Sequence, residues 1–323
     1  MAEILVTGGA GFIGSHLVEA LLRRGDSVIV VDDLSTGSIR NLDGCRSDPK
    51  LRVHIGSICD MPLMAELIDR AGVICHLAAA VGVRLIVEKP VHTIETNIRG
   101  TEIVLELAAR KNKPILITSS SEVYGKSANV PFSEDDDLLL GSTTRPRWAY
   151  ACSKAIDEFL ALAYYRERKL PVVIVRLFNT VGPRQTGQYG MVIPRFVRQA
   201  LTGQPVSVYG DGRQTRAFAY VGDVVGALMS LMSEPRAAGQ VFNVGNDEEI
   251  TIIDLARLVI HKTASASKVE FIPFEQAYDE NFEDLARRVP DLSKLRALIS
   301  YTPRLHVGDV IDRVIEHERH EGI

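Results

Sequence analysis

Residues 5–17 read LVTGGAGFIGSHL: an apolar run, a cluster of glycines, and then residues that open an amphipathic helical pattern. Glycines between a strand and a helix have a physical use. They let backbone N–H groups approach an anion at the positive end of the helix dipole. Two overlapping spacings fit that use, Gly9-x-Gly11-x-x-Gly14 and Gly8-x-x-Gly11-x-x-Gly14, with Phe12 and Ile13 filling the last gap. Asp32 closes the next apolar run, SVIVVD (27–32), where a carboxylate can accept hydrogen bonds from the hydroxyls of an adenosine ribose. The same charge repels a 2′-phosphate. Strand, turn, helix and acid together point to NAD as cofactor in preference to NADP.

Working outward, EILVT (3–7), SVIVVD (27–32), LRVHI (51–55), VICHLA (73–78), PILITS (114–119) and PVVIVR (171–176) alternate with FIGSHLVEALLRR, PLMAELIDR, TNIRGTEIVLELAARK and SKAIDEFLALAYYRER. The first group is short and β-branched, and the second has apolar residues at helical spacing. That alternation predicts an α/β fold, a Rossmann-type doubly wound parallel sheet with right-handed crossovers. After residue 176 glycine and proline become frequent and strands shorten. The reading is a dinucleotide-binding domain over 1–176 and a smaller α/β substrate lobe over 177–323, with segments near 211–245, such as GQVFNVG (239–245), returning to the first sheet. EDDD (134–137) reads as a solvated loop.

Composition narrows the function. The chain of 323 residues is 46% hydrophobic and 24% charged, ordinary for a globular protein, and its net charge of −4 offers no basic field for nucleic acid or an anionic membrane. No run approaches the roughly 20 apolar residues that span a bilayer. The N-terminus lacks a basic segment followed by a cleavage site, so a cytoplasmic protein is expected. Cys45, Cys59, Cys75 and Cys152 are scattered, without the spacing of a metal or redox site, and are expected to be reduced thiols.

Tyr150 and Lys154 in WAYACSKAID stand one helical turn apart, which places both on one helix face. An ammonium stabilises phenolate and draws a tyrosine down from its usual pKa of about 10. Tyr150 is thereby a candidate general base, and Ser120, at the end of the fifth strand, can relay its proton.

TGGAGFIG, HLAAA, TNIRGT, TSSSEVYG, YACSK and RLFNTVGPR follow one another in that order over nearly the whole chain. This order resembles the extended short-chain dehydrogenase/reductase family acting on nucleotide sugars. The resemblance implies tightly held NAD that oxidises a sugar hydroxyl, usually at C4, before a second step and often return of the hydride. Tyr150 is then the base, Lys154 lowers its pKa and holds the nicotinamide ribose, and Ser120 aids proton transfer. Gly8, Gly11, Gly14, Asp32, Ala78, Ala79 and Asn97 become cofactor contacts. The chain departs from the family at GSICD (56–60), where Ser57 stands in place of a frequent acid, so the adenine contact is assigned to Ser57 and Ile58. Asn179 and Arg216 match positions that meet the nucleotide diphosphate, and PVSVYG (205–210), with Val208 and Tyr209, matches the strand lining the base pocket. The resemblance also implies a UDP-sugar substrate and a homodimer through the helices around 92–110 and 151–168.

Three reactions share the 4-ketone. Epimerisation needs only rotation of the sugar, 4,6-dehydration needs an acid and a base, and decarboxylation of a glucuronate needs the ketone as electron sink plus a proton donor. Dehydratases of the family carry an Asp-Glu pair where this chain has Ser121-Glu122, whereas nucleotide-sugar decarboxylases commonly show hydroxyl-Ser-Glu. FEDLARRVPDLSKL (282–295) resembles the decarboxylase segment that carries an active-site arginine, here Arg288, and RWAYACSK (147–154) places Arg147 near a substrate carboxylate. Arg84 is a further possible contact. GPRQTGQYGMVIPRF (182–196) is nearer to epimerases, Arg288 can equally bind phosphate, and Glu122 can simply order a loop. The expectation is an NAD-dependent UDP-glucuronate decarboxylase, with a UDP-sugar 4-epimerase as the alternative.

Overall fold

The computed structural model of the chain describes residues 3–81, 90–145, 147–186, 191–273, 276 and 285–322. Arg84 and the side chain of Arg147 lie outside the described residues.

The glycine-rich stretch joins β1 (Glu3–Thr7) to α1 (Phe12–Arg24). β2 (Ser27–Asp32), β3 (Leu51–Ile55), β4 (Ala71–His76), β5 (Ile115–Ser120) and β6 (Val172–Leu177) follow at helix-length intervals, separated by α2 (Met61–Arg70), α3 (Pro90–Arg110) and α4 (Arg147–Arg168). All pairings are parallel, and the spatial order is β11-β6-β5-β4-β1-β2-β3, where β11 is Gln240–Val244. The sheet has seven strands, one more than the six consecutive runs supply, because β11 pairs with β6 along its whole length.

Both faces are covered, as an all-parallel sheet requires. Alternation along β1 and β2 divides the core. Val6, Val28 and Val30 pack with Leu17 and Leu21 of α1 and with Val224 and Leu228 of a later helix. Leu5, Ile29 and Val31 face the other way, onto Met64, Leu67 and Val104. α1 ends at Gly25, whose φ of 97° permits the left-handed turn, and its N–H caps the carbonyls of Leu21 and Leu22.

The remaining elements are β7 (Thr180–Val181), α5 (Val192–Leu201), β8 (Val206–Tyr209), β9 (Thr215–Ala217), β10 (Ala219–Tyr220), α6 (Val221–Ser233), β12 (Glu249–Thr251), α7 (Ile252–Thr263), β13 (Val269–Ile272), β14 (Arg287–Arg288), α8 (Ser293–Ile299) and α9 (Val307–His320). Ile193 and Phe196 of α5, Leu255 of α7 and Ile311 of α9 form a separate core with Val208. β9 is flanked by β12 and β14, which sets Arg216 directly opposite Arg288. Glu134 corrects the reading of EDDD as fully solvated. It is 9% exposed, and its Oε1 accepts the Asn243 N–H at 2.7 Å, fixing that loop to β11.

Candidate active site

A cleft of about 450 Å³ opens along the carboxyl ends of β1, β2, β4, β5 and β6, where ligands bind in open α/β sheets. Its floor is the glycine turn. Gly8 has a φ of +68°, and a Cβ there would stand 2.8 Å from the Ala78 nitrogen. A Cβ on Gly14 would lie 2.0 Å from the Gly8 carbonyl oxygen. No other residue type fits either position, so α1 starts close against the Gly8 turn, which itself packs on the segment after β4, and the helix N-terminus faces the cleft. Gly11, Phe12 and Ile13 line it beside them.

Asp32 stands at the rim. Its Oδ2 accepts the Ala10 N–H at 2.9 Å and its Oδ1 the Leu34 N–H at 2.8 Å, so it braces the glycine turn as well as presenting charge. Burial pushes this carboxyl up, while those two donors pull it down. Ile58, Ala78 and Ala79 line the same cavity. The glycine cradle, the helix N-terminus and the rim carboxylate together fit a dinucleotide.

Two of the expected cofactor contacts also hydrogen-bond to the protein's own backbone. Asn97 is 1% exposed and grips the Ala80 backbone, accepting its N–H at 2.8 Å and donating to its carbonyl at 3.3 Å. It shapes the cleft wall from behind. The Ser57 hydroxyl accepts the Cys59 N–H at 3.1 Å, and Gly56 and Ile58 on either side of it line the cavity.

The reactive cluster lies at the end of β5. The Ser120 hydroxyl accepts the Glu122 N–H at 3.2 Å, capping the 3₁₀ turn Ser121–Tyr124. That cap turns Glu122 into the cleft alongside Ser120 and Ser121. Tyr150, in the first turn of α4, meets the Ser120 hydroxyl. Lys154 lies below it, 2% exposed, with its Nζ 2.8 Å from Asp157 Oδ2.

Lys154 does draw the Tyr150 pKa down, as expected, but the net shift is upward. Burial and the nearby Glu122 carboxylate push Tyr150 up, and Lys154 and Ser120 offset only part of that. Burial works against the Lys154 ammonium too, but Asp157 and then Tyr150 outweigh it and hold Lys154 above its ordinary value.

From β14, Arg288 lines the same cleft as Tyr150, and its Nη1 lies 2.5 Å from Glu122 Oε1, the two side chains being 9% and 22% exposed. Its buried Nε has no hydrogen-bond partner among the described residues. Directly paired strand residues share a face, so Arg216 lies on the same side of its small sheet as Arg288. Arg216 is 8% exposed and donates from Nη1 to the Thr215 carbonyl at 2.7 Å. Asn179 lines the cavity and donates to the Ala217 carbonyl at 3.0 Å. The Val208 side chain is fully buried in the core between α5 and α7. Tyr209 is partly exposed, with the Arg195 guanidinium 4.0 Å above its ring.

Sequence reasoning missed the polar groups beneath the cluster. Arg176 makes a bidentate pair with Glu158, both side chains 6% exposed, and Glu158 also accepts the Ser119 hydroxyl at 2.5 Å. His76 bridges Thr7, at 2.8 Å, and Thr101, at 3.2 Å. A signal for the first was present. Arg176 interrupts an otherwise apolar buried strand, and a buried charge requires a partner.

The family described as GDP-mannose 4,6 dehydratase matches residues 5–314. The UDP-N-acetyl-alpha-D-glucosaminuronate decarboxylase of Bacillus cytotoxicus is 43% identical over 303 residues, 93% of this chain and 92% of that protein. UDP-glucuronic acid decarboxylase 1 of Arabidopsis thaliana is 37% identical over 320 residues, 98% of this chain and 70% of that protein. Among solved structures, the UDP-glucuronic acid 4-epimerase of Bacillus cereus, in complex with UDP-glucuronic acid and NAD, superposes with a TM-score of 0.89. It is 26% identical and each chain is 99% covered.

Proposed function

On the premise that the chain belongs to the GDP-mannose 4,6-dehydratase family, within the NAD-dependent extended short-chain dehydrogenase/reductases, we propose that it decarboxylates a UDP-hexuronate, either UDP-glucuronate or its 2-acetamido counterpart. The observation that carries this reading is the Glu122–Arg288 pair, brought from two lobes to within 2.5 Å beside Tyr150. The relatives named as decarboxylases support it.

Gly8, Gly11, Gly14 and Asp32 hold NAD, which when bound takes up and returns hydride at sugar C4. Tyr150 accepts the C4 hydroxyl proton, passing it through Ser120, while Lys154 offsets the negative charge that forms on the phenolate. Oxidation makes the sugar a β-keto acid. The C5–carboxylate bond then breaks, its electron pair moves into the C4 carbonyl, and carbon dioxide leaves. Arg288 orients the carboxylate before that step, and the Glu122–Arg288 pair governs the proton that C5 receives afterwards. Arg216 and Asn179 meet the diphosphate, for which a guanidinium supplies a planar fork of donors.

We propose further that the chain divides functionally at residue 176 and acts in the cytoplasm as a homodimer. The dimer reading is supported by apolar side chains exposed on α3 and α4, with Val91 66% and Phe159 69% exposed and Ile94 and Ile156 beside them. Cytoplasmic residence is supported by four free thiols. No helix among the described residues is long and apolar enough to cross a membrane.

The test is incubation with UDP-glucuronate and with UDP-N-acetylglucosaminuronate, followed by product identification by mass and NMR. A UDP-pentose or its 2-acetamido analogue supports the proposal. A product of unchanged mass with inverted C4 replaces it with epimerisation.

A further inference from the structure

Lys154 is an ammonium with almost no access to water, and a buried cation either finds a counter-charge or loses its proton. The acid that touches it is Asp157, three residues along α4. Asp157 is itself fully buried and does not line the cleft, so it cannot meet substrate. Burial pushes the Asp157 carboxyl up, and Lys154 and then the nearby Thr101 hydroxyl offset only part of that; its Oδ1 makes no hydrogen bond among the described residues. Thr101 continues through His76 to Thr7, whose Oγ1 accepts the Ala78 N–H at 3.1 Å. The carboxylate therefore ends a buried polar chain that runs from the cleft wall to Lys154.

The other charges around Lys154 are otherwise committed. Glu158 is held by Arg176 and Ser119. Glu122, from the turn after β5, pairs with Arg288. His76, from β4, is kept neutral, since burial and then Lys154 push its pKa down to about 3. Among the described residues Asp157 and then Tyr150 act most strongly on the ammonium, with a weaker pull from Glu158.

We propose that Asp157 is a positioning residue that keeps Lys154 protonated beneath Tyr150, so that proton loss at high pH creates a phenolate and not a neutral lysine. A phenolate beside an ammonium has the same net charge as a phenol beside a neutral amine. Which one forms depends on a third charge. Asp157 contacts the ammonium at 2.8 Å and acts more weakly on the phenol, where it ranks below both Lys154 and Glu122 in effect. It therefore favours the charged pair.

The inference rests on Tyr150 as the base. The test is the ultraviolet phenolate titration of the full chain, with the Tyr150 contribution obtained by difference from Tyr150→Phe in each background. Asp157→Asn should make Tyr150 about tenfold weaker as an acid, the low end of what one adjacent charge does. The acid limb of kcat/KM should move to higher pH with it, and Asp157→Glu should restore both. A titration in Asp157→Asn that coincides with wild type, or precedes it, overturns the proposal. Should Asp157→Asn fail to fold, the wild-type ε-carbon resonance of Lys154, assigned with Lys154→Arg, decides the matter: Lys154 must stay protonated until Tyr150 has ionised, and earlier loss refutes the proposal. The ultraviolet and Lys154 resonance titrations need no sugar nucleotide; only the kcat/KM profile does. Failure of the decarboxylase reading would therefore appear separately, as wild-type enzyme without product.

Discussion

Replacing Glu122 by Gln separates the two stages of the reaction. The side chain keeps its size and one acceptor oxygen but loses the charge 2.5 Å from Arg288 Nη1. Arg288 is 9% exposed and its Nε has no hydrogen-bond partner among the described residues, whereas Glu122 keeps 22% exposure. The stability cost should therefore fall between that of a surface pair and that of a buried pair, about 1–2 kcal/mol. The Glu122 charge also holds the Tyr150 pKa up, so Glu122→Gln should make Tyr150 a stronger acid and spare the first oxidation. Loss of one acid–base group in the second stage should lower overall turnover by roughly 10²–10⁴-fold. The assay is single-turnover absorbance of NADH together with mass analysis of the sugar nucleotide. NADH should appear at near wild-type rate and persist, with product scarce. Wild-type product formation would mean that Glu122 only orders its turn, and loss of NADH formation would mean that it belongs to the redox step.

His76 is buried and neutral with its pKa lowered to about 3, whereas the unfolded chain protonates it near 6.5. The unfolded state then binds more protons between those values, so stability should fall as pH drops from about 6.5 towards 3, by at most about 5 kcal/mol. Urea unfolding across that range should show a shallower slope in His76→Gln, and an unchanged slope refutes the assignment. Arg176→Met should cost about 3–5 kcal/mol, because it strands the Glu158 carboxylate inside the protein; a loss below about 1 kcal/mol by the same method would mean that Glu158 has taken up its proton or found water. Phe159→Asp puts a charge on the exposed apolar face of α4 and should yield a monomer by analytical ultracentrifugation with folding intact. A dimer that survives it uses another surface.

β1, β2 and β3 begin and end where alternation and β-branching place them, because their runs are bounded by glycine, acid and turn residues. β4 is shifted: Leu77 and Ala78 continue the apolar run but leave the strand, their N–H groups hydrogen-bonding to Thr7. The glycine cradle was legible for a steric reason that holds at any sequence distance, since a Cβ at Gly14 has no space. The buried charges were not. Asp157 and Glu158 sit in a helix whose polar residues normally face water, and only the tertiary contacts with Lys154 and Arg176 bring them inside. Val208 shows the same limit, because which side chains of a short strand are buried is decided by α5 and α7 packing on it. The acidity of Tyr150 was misjudged because one helix shows Lys154 but not the burial or the Glu122 charge that oppose it.

The central claim is that the 4-ketone made at this site serves to expel a carboxylate. Its most direct measurement is release of labelled carbon dioxide from UDP-glucuronate and UDP-N-acetylglucosaminuronate carrying isotope in the carboxyl group, with the enzyme in catalytic amount. We expect one carbon dioxide per sugar nucleotide consumed from at least one of the two, and none from Tyr150→Phe. Consumption of either substrate with the label retained in the sugar, and no release from the other, would contradict it.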